Sequence, residues 1–112
     1  MTEKGDALPP PAFGPEACRT MADVRAGVDA VDADLVGLLA ERFGYMRAAA
    51  HIKTERNTVR DEARKRQVID NAVAEARARG VPTDLVAALW EQLVEASIAY
   101  ELKAFDTAHK SG

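Results

Sequence analysis

Between Met21 and Ile52 the apolar residues recur at helix-core spacing with no proline to interrupt them, and the stripe they draw is longer than a chain of 112 residues can cover by itself. Met21, Val24, Val28, Val31, Leu35 and Leu38 mark one face, which Tyr45, Ala49 and Ile52 resume. A helix from near Thr20 to about Lys53 or Thr54, about 33 residues, spans about 50 Å. A compact chain of this size has a radius of gyration of about 13 Å and a diameter of roughly 35 Å. The excess length leaves apolar surface for a second copy to cover, so the expected assembly is an intertwined homodimer.

One position breaks the stripe. Arg42 stands where an apolar residue is due. Lys53 follows eleven residues later, which returns it to within about 20° of the direction of Arg42 on the same helix. Two cations on a core-facing side call for an anion, because long cationic side chains are seldom fully buried without one. Arg25, seventeen residues before Arg42, points roughly 100° away, toward the expected partner chain.

The remaining organisation is also helical. No proline lies between Glu16 and Val81, and no alternating strand pattern competes, so the fold class is all-α with three helices. A second helix is expected from Asp61 to about Arg79, with Ala63, Val68, Ala72 and Ala76 on one side and Gly80 and Pro82 as its stop. A polar connection, Glu55 to Arg60, precedes it. A third helix is expected from Thr83 as N-cap, carrying Val86, Leu89, Trp90, Leu93, Ser97, Tyr100, Glu101 and Phe105 toward the core. Residues 1–19, with four of the five prolines, are expected as an N-terminal tail, 20–106 as one helical domain and 107–112 as a C-terminal tail.

Charge and composition exclude several classes of function. The net charge of -3 gives no overall positive field for nucleic acid or an anionic membrane. A single cysteine and two histidines offer neither a disulfide nor a metal cluster, so no cofactor or metal is expected. The absence of a membrane-spanning run and of a secretory signal pattern gives the expectation of a cytoplasmic protein. Any cationic site is therefore local.

The polar residues on the helix faces each admit a structural reading as well. Arg25 lies within helical reach of Asp29 and Asp32, and Arg64 lies beside Asp61. Lys53 reads equally as a snorkelling residue at a helix end, Ser97 as a small packing residue, and Glu101 as a boundary carboxylate paired with a lysine of another helix.

Taken in order, these residues form a pattern. Val24 through Arg42 resembles the opening of the all-helical AroQ class (type II) of chorismate mutases, with Lys53 at the expected distance. Val59-Arg60-Asp61-Glu62-Ala63-Arg64 is similar to the start of that family's second helix, and Ser97-Ile98-Ala99-Tyr100-Glu101 to its third-helix signature. The resemblance covers residues 20 to about 105. It implies an intertwined three-helix homodimer that converts chorismate to prephenate by an intramolecular pericyclic rearrangement, as in aromatic amino acid biosynthesis, without cofactor or metal. It further implies that Arg42, and Arg25 from the partner subunit, pair with the two substrate carboxylates, where guanidinium groups give bidentate geometry. Lys53 would bind a carboxylate and the ether oxygen. Arg64 would orient the substrate, Asp61 would lie near its hydroxyl, Ser97 would contact a carboxylate, and Glu101 would face Lys53 at the ether oxygen.

Two departures bear on the substrate. Many members carry glutamine where this chain has Glu101, and an ionised carboxylate there repels an anionic substrate, so Glu101 must take a proton to donate a hydrogen bond. Lys65 occupies a substrate-binding position where the family often places a glutamate that holds the ring hydroxyl. The segments Cys18-Arg19-Thr20-Met21-Ala22-Asp23-Val24-Arg25 and Phe43-Gly44-Tyr45-Met46-Arg47-Ala48-Ala49-Ala50 also resemble isochorismate pyruvate lyases, which share this fold and form salicylate. An amino-substituted chorismate as substrate, and a non-enzymatic helical dimer that binds a regulatory partner, stay open beside these.

Overall fold

Thr20 and Asp23 exchange capping hydrogen bonds that start the longest helix. The backbone N–H of Asp23 donates to Thr20 Oγ1 at 3.1 Å, while the N–H groups of Arg19 and Thr20 donate to Asp23 Oδ2 at 2.9 and 3.2 Å. This reciprocal arrangement satisfies donors that a helix start otherwise leaves open. A computed structural model describes residues 14–110, and in it α1 runs Met21–Ile52, α2 Glu62–Arg79 and α3 Thr83–Ala108. Short 3-10 turns occupy Pro15–Ala17 and Arg56–Thr58. Among the described residues there is no strand, and no helix is long and apolar enough to cross a membrane.

Most of the expected N-terminal tail lies outside the described residues. Its described end carries the Pro15–Ala17 turn rather than extended chain, because Pro15 presets a turn conformation. At the other end α3 continues to Ala108, two residues beyond the expected domain boundary, and residues 111 and 112 lie outside the description.

The chain resolves into two compact units, divided between Arg42 and Phe43 within α1. In the first unit the apolar stripe of α1 is exposed: Val31 is 57 % and Leu38 61 % accessible, with Met21, Val28 and Leu35 similar. The second unit holds the core. There α2 and α3 pack as an antiparallel hairpin, and Val94, Ile98 and Phe105 of α3 cluster with Ala50 of α1 and Val59 of the connection. Val68, Ile69, Trp90 and Leu102 pack around that cluster.

The hairpin ends are set by local chemistry. Asp61 is the N-cap of α2, its Oδ1 accepting the Arg64 backbone N–H at 3.0 Å. Gly80 ends α2 in the left-handed region at φ 73°, and its N–H bonds back to the Ala76 and Arg77 carbonyls. Pro82, not Thr83, is the residue that caps α3, with no side-chain hydrogen bond. Pro82 lacks an N–H and its fixed φ suits a helix start, so Thr83 is drawn into the first turn. One expectation fails on packing. Leu89 is exposed, whereas Val94 and Ile98 are buried beside the expected Val86, Ser97, Glu101 and Phe105, because the buried face of α3 is turned by about 50° from the expected stripe.

Ion pairs join the connection and α2 to α3. Arg60 meets Glu95 through two hydrogen bonds, of 2.7 and 3.1 Å, and also reaches Glu62 at 2.8 Å. Lys65 donates to Glu91 at 2.8 Å and Glu95 at 2.6 Å. Arg56 holds Asp106 with hydrogen bonds of 2.8 and 3.2 Å. Hydrogen bonds from Arg60 and Lys65 lower the Glu95 carboxyl to a pKa of about 2, and the bond from Arg56 lowers Asp106. Arg60, Lys65 and Arg56 are raised in turn, chiefly by the same bonds.

Two outcomes are expected. Gly80→Ala forces a Cβ into a left-handed conformation and destabilises the hairpin by about 1 kcal/mol in urea unfolding. Because the carboxyl of Glu95 is depressed in the folded chain from its ordinary 4.5 to about 2, the stability it contributes is present above that ordinary value and is lost as pH falls toward 2. The melting temperature of Glu95→Gln should therefore lie below that of the parent at neutral pH and converge on it in acid; a constant difference would exclude this linkage.

Candidate active site

The site begins with a carboxylate on the buried face of α3. Glu101 follows Ser97 by one helical turn, so the two side chains lie on the same side of α3, and both are buried among its core residues. Burying a carboxylate is costly unless a cation meets it. Lys53 supplies the cation: its Nζ lies 2.8 Å from Glu101 Oε2. The pair is lopsided, with the Lys53 side chain 30 % and the Glu101 side chain 7 % accessible, so the ammonium faces outward and the carboxylate inward. Although the contact is close, Glu101 Oε2 has no hydrogen bond of acceptable alignment. The contact is thus an ion pair whose alignment leaves Oε2 without a well-directed donor.

Backbone geometry fixes where Lys53 stands. It is the first residue past α1, and its N–H still donates to the Ala49 carbonyl at 2.9 Å. The neighbouring Ala50 is fully buried in the core cluster, so the end of α1 is anchored just before the lysine. Ser97 donates its hydroxyl to the Leu93 carbonyl at 2.7 Å, the back-bonding available to a serine in mid-helix.

The other expected site residues are placed as follows. Asp61 and Arg64 come together at the start of α2, but not as an ion pair: the Asp61 carboxylate caps the backbone, and the Arg64 guanidinium donates to Gln67 Oε1. The capping demand explains this, since a carboxylate at the N-cap accepts from N–H groups that nothing else satisfies. Lys65 is committed to Glu91 and Glu95 of α3. Arg25 and Arg42 lie within α1 in the first compact unit, exposed and half-buried respectively.

Several interacting residues carry no signal in the periodicity. Arg56, Arg60, Glu91, Glu95 and Asp106 form the pairs that hold the connection, and Arg47 donates to the Tyr100 hydroxyl at 2.6 Å beside an edge-on Phe43–Tyr100 contact. The one available hint was spacing: Glu91 and Glu95 stand one turn apart on α3, and Asp106 follows Glu95 by eleven residues, so all three share a polar side of that helix.

An isochorismate pyruvate lyase from Pseudomonas aeruginosa is 28% identical over 89 residues, which cover 80% of this chain and 88% of that protein. Residues 24–102 match the family described as chorismate mutase type II, a span that contains Arg25, Arg42, Lys53, Asp61, Arg64, Ser97 and Glu101. With three helices and a match across most of its length, this protein belongs to the chorismate mutase type II family.

Proposed function

We propose that the chain is a chorismate mutase that rearranges chorismate to prephenate as a cytoplasmic homodimer. The observation that supports this most directly is the Lys53 ammonium held 2.8 Å from the buried Glu101 carboxylate, within the matched region. The rearrangement is intramolecular: one C–O bond breaks as one C–C bond forms, and the protein has no covalent step to perform. It must hold a dicarboxylate in a compact reactive shape and stabilise negative charge growing on the ether oxygen. Cations meet the first need, and donors aimed at the ether oxygen meet the second.

In this reading Arg42 and the partner's Arg25 pair with the carboxylates, Arg64 orients the substrate, Asp61 lies near its hydroxyl and Ser97 contacts a carboxylate. Lys53 and Glu101 face the ether oxygen. Lys65, tied to Glu91 and Glu95, contacts the substrate only if it leaves them. The second copy is supported by the exposed apolar stripe of α1, whose burial would contribute about 25 cal/mol per Å² removed from water.

The relative from Pseudomonas aeruginosa favours a second reading, isochorismate pyruvate lyase, in which the same cations hold isochorismate while pyruvate is eliminated to leave salicylate. The two reactions separate by product. Purified protein given chorismate and isochorismate in turn should yield prephenate from the first; salicylate from the second with no prephenate would establish the lyase, and turnover of neither would remove both. Sedimentation should report twice the chain mass.

Glu101 stands where a carboxylate beside the developing oxyanion would repel it, whereas an amide of the same size would donate an N–H to it. Glu101→Gln should therefore keep turnover while Glu101→Ala loses it, and loss of turnover in both variants alike would exclude the role. Lys53→Ala should lower kcat/KM by at least about 100-fold, since it removes a charge aimed at the ether oxygen.

A further inference from the structure

The connection between α1 and α2 is pinned to α3 by an arginine on each side of a buried valine. Val59 is 5 % accessible and belongs to the core cluster. Arg56 precedes it and Arg60 follows it, each gripping one α3 carboxylate with two hydrogen bonds. Glu95 and Asp106 are eleven residues apart on α3, within about 20° of one another around the helix and about 16 Å apart along it. The connection is thus fastened at two separated points on one side of α3. Internal bonds stiffen it between them: Thr58 Oγ1 donates to the Glu55 carbonyl at 2.7 Å, and the N–H groups of Thr58 and Val59 donate to the carbonyls of Glu55 and Arg56.

The segment so fastened carries candidate ligands at both ends. Lys53 stands at its start, facing Glu101, and Asp61 closes it as the cap of α2, one turn before Arg64. We propose that Arg56–Asp106 and Arg60–Glu95 are positioning pairs, which fix the connection on α3 and so set where Lys53, Asp61 and Arg64 meet a bound dicarboxylate. The proposal rests on the reading of these three residues as substrate ligands. The arginines and carboxylates of the pairs touch no substrate; they act through the segment they hold. An isolated exposed ion pair contributes little, but bidentate geometry and a shared network are the circumstances in which such pairs matter. Lys65, bound to the same Glu95 from the first turn of α2, adds a third point to that network.

A pre-ordered connection spares the substrate the entropy of ordering it, so loosening it should appear in KM before kcat. A merely structural role would instead lower the amount of folded enzyme, reducing apparent kcat at unchanged KM. The Arg56–Asp106 pair permits a clean test because its carboxylate has no second cation among the described hydrogen bonds and salt bridges. In the ligand-free full chain, Arg56→Asp and the milder Arg56→Gln should each speed amide hydrogen exchange in residues 54–60 by about fivefold while the amides within α2 and α3 keep their protection. With whichever of chorismate and isochorismate the parent converts, KM should rise about fivefold with a smaller fall in kcat, and Arg56→Asp combined with Asp106→Arg should restore both readouts. Unchanged exchange in 54–60, unchanged KM, or failure of the double exchange to restore them overturns the proposal. So does loss of protection throughout α2 and α3 in both single variants, since the pair would then be holding the fold rather than the connection. If the parent converts neither compound, the reading of the site fails, and the exchange measurement still decides whether the pairs order the connection.

Discussion

Burial of one side of α3 is the constraint to which the second unit of the chain is fitted. Val94, Ile98 and Phe105 need apolar cover, and they receive it from α2, from Val59 in the connection and from Ala50 at the end of α1. Ser97 and Glu101 share that buried side, so core and candidate site are faces of one helix rather than separate regions. A carboxylate in such surroundings requires a positive charge, and Lys53 is delivered to it by the same packing that buries Ala50. Hydrophobic burial thereby fixes the electrostatics.

What can be read from sequence follows from the range of each interaction. Helix boundaries set by neighbours a few residues apart were legible: Thr20 with Asp23, the start of α2 at Asp61, and Gly80 as a stop all occupy their expected places to within a residue. The placing of Glu101 opposite Lys53 came from the family resemblance alone, since periodicity related Lys53 only to Arg42; in the structure the two side chains lie 2.8 Å apart. Pairs such as Arg56–Asp106 and Arg60–Glu95 join residues fifty and thirty-five positions apart, and no local pattern announces which charges on two polar surfaces will find one another. Pro82 and Leu89 mislead for different reasons. A threonine after a proline resembles a cap, and a leucine at helix-core spacing resembles core, although Leu89 is half exposed.

The same sequence carries two kinds of polar residue on helices that look alike in composition. Glu95 is stabilised as an anion by Arg60 and Lys65 at a solvent-exposed position, where water shares the work of solvation. Glu101 is withdrawn from water with one cation beside it and an oxygen short of a well-aligned donor. The first arrangement favours permanence. The second leaves a buried acceptor with one cation beside it and no water to share the load, so its position depends on the packing that holds Lys53 in place.

The turn between α2 and α3 has a consequence for how the chain assembles. Gly80, Val81 and Pro82 close the hairpin over three residues, so its two helices meet with a small loss of loop entropy, and their contacts are among the most local the chain can make. The long-range fastening of the connection, by contrast, requires partners far apart in the chain. Conformational search is thus concentrated in the nine residues from Lys53 to Asp61, and the framework presented to them, the polar side of α3, is one that the hairpin already supplies.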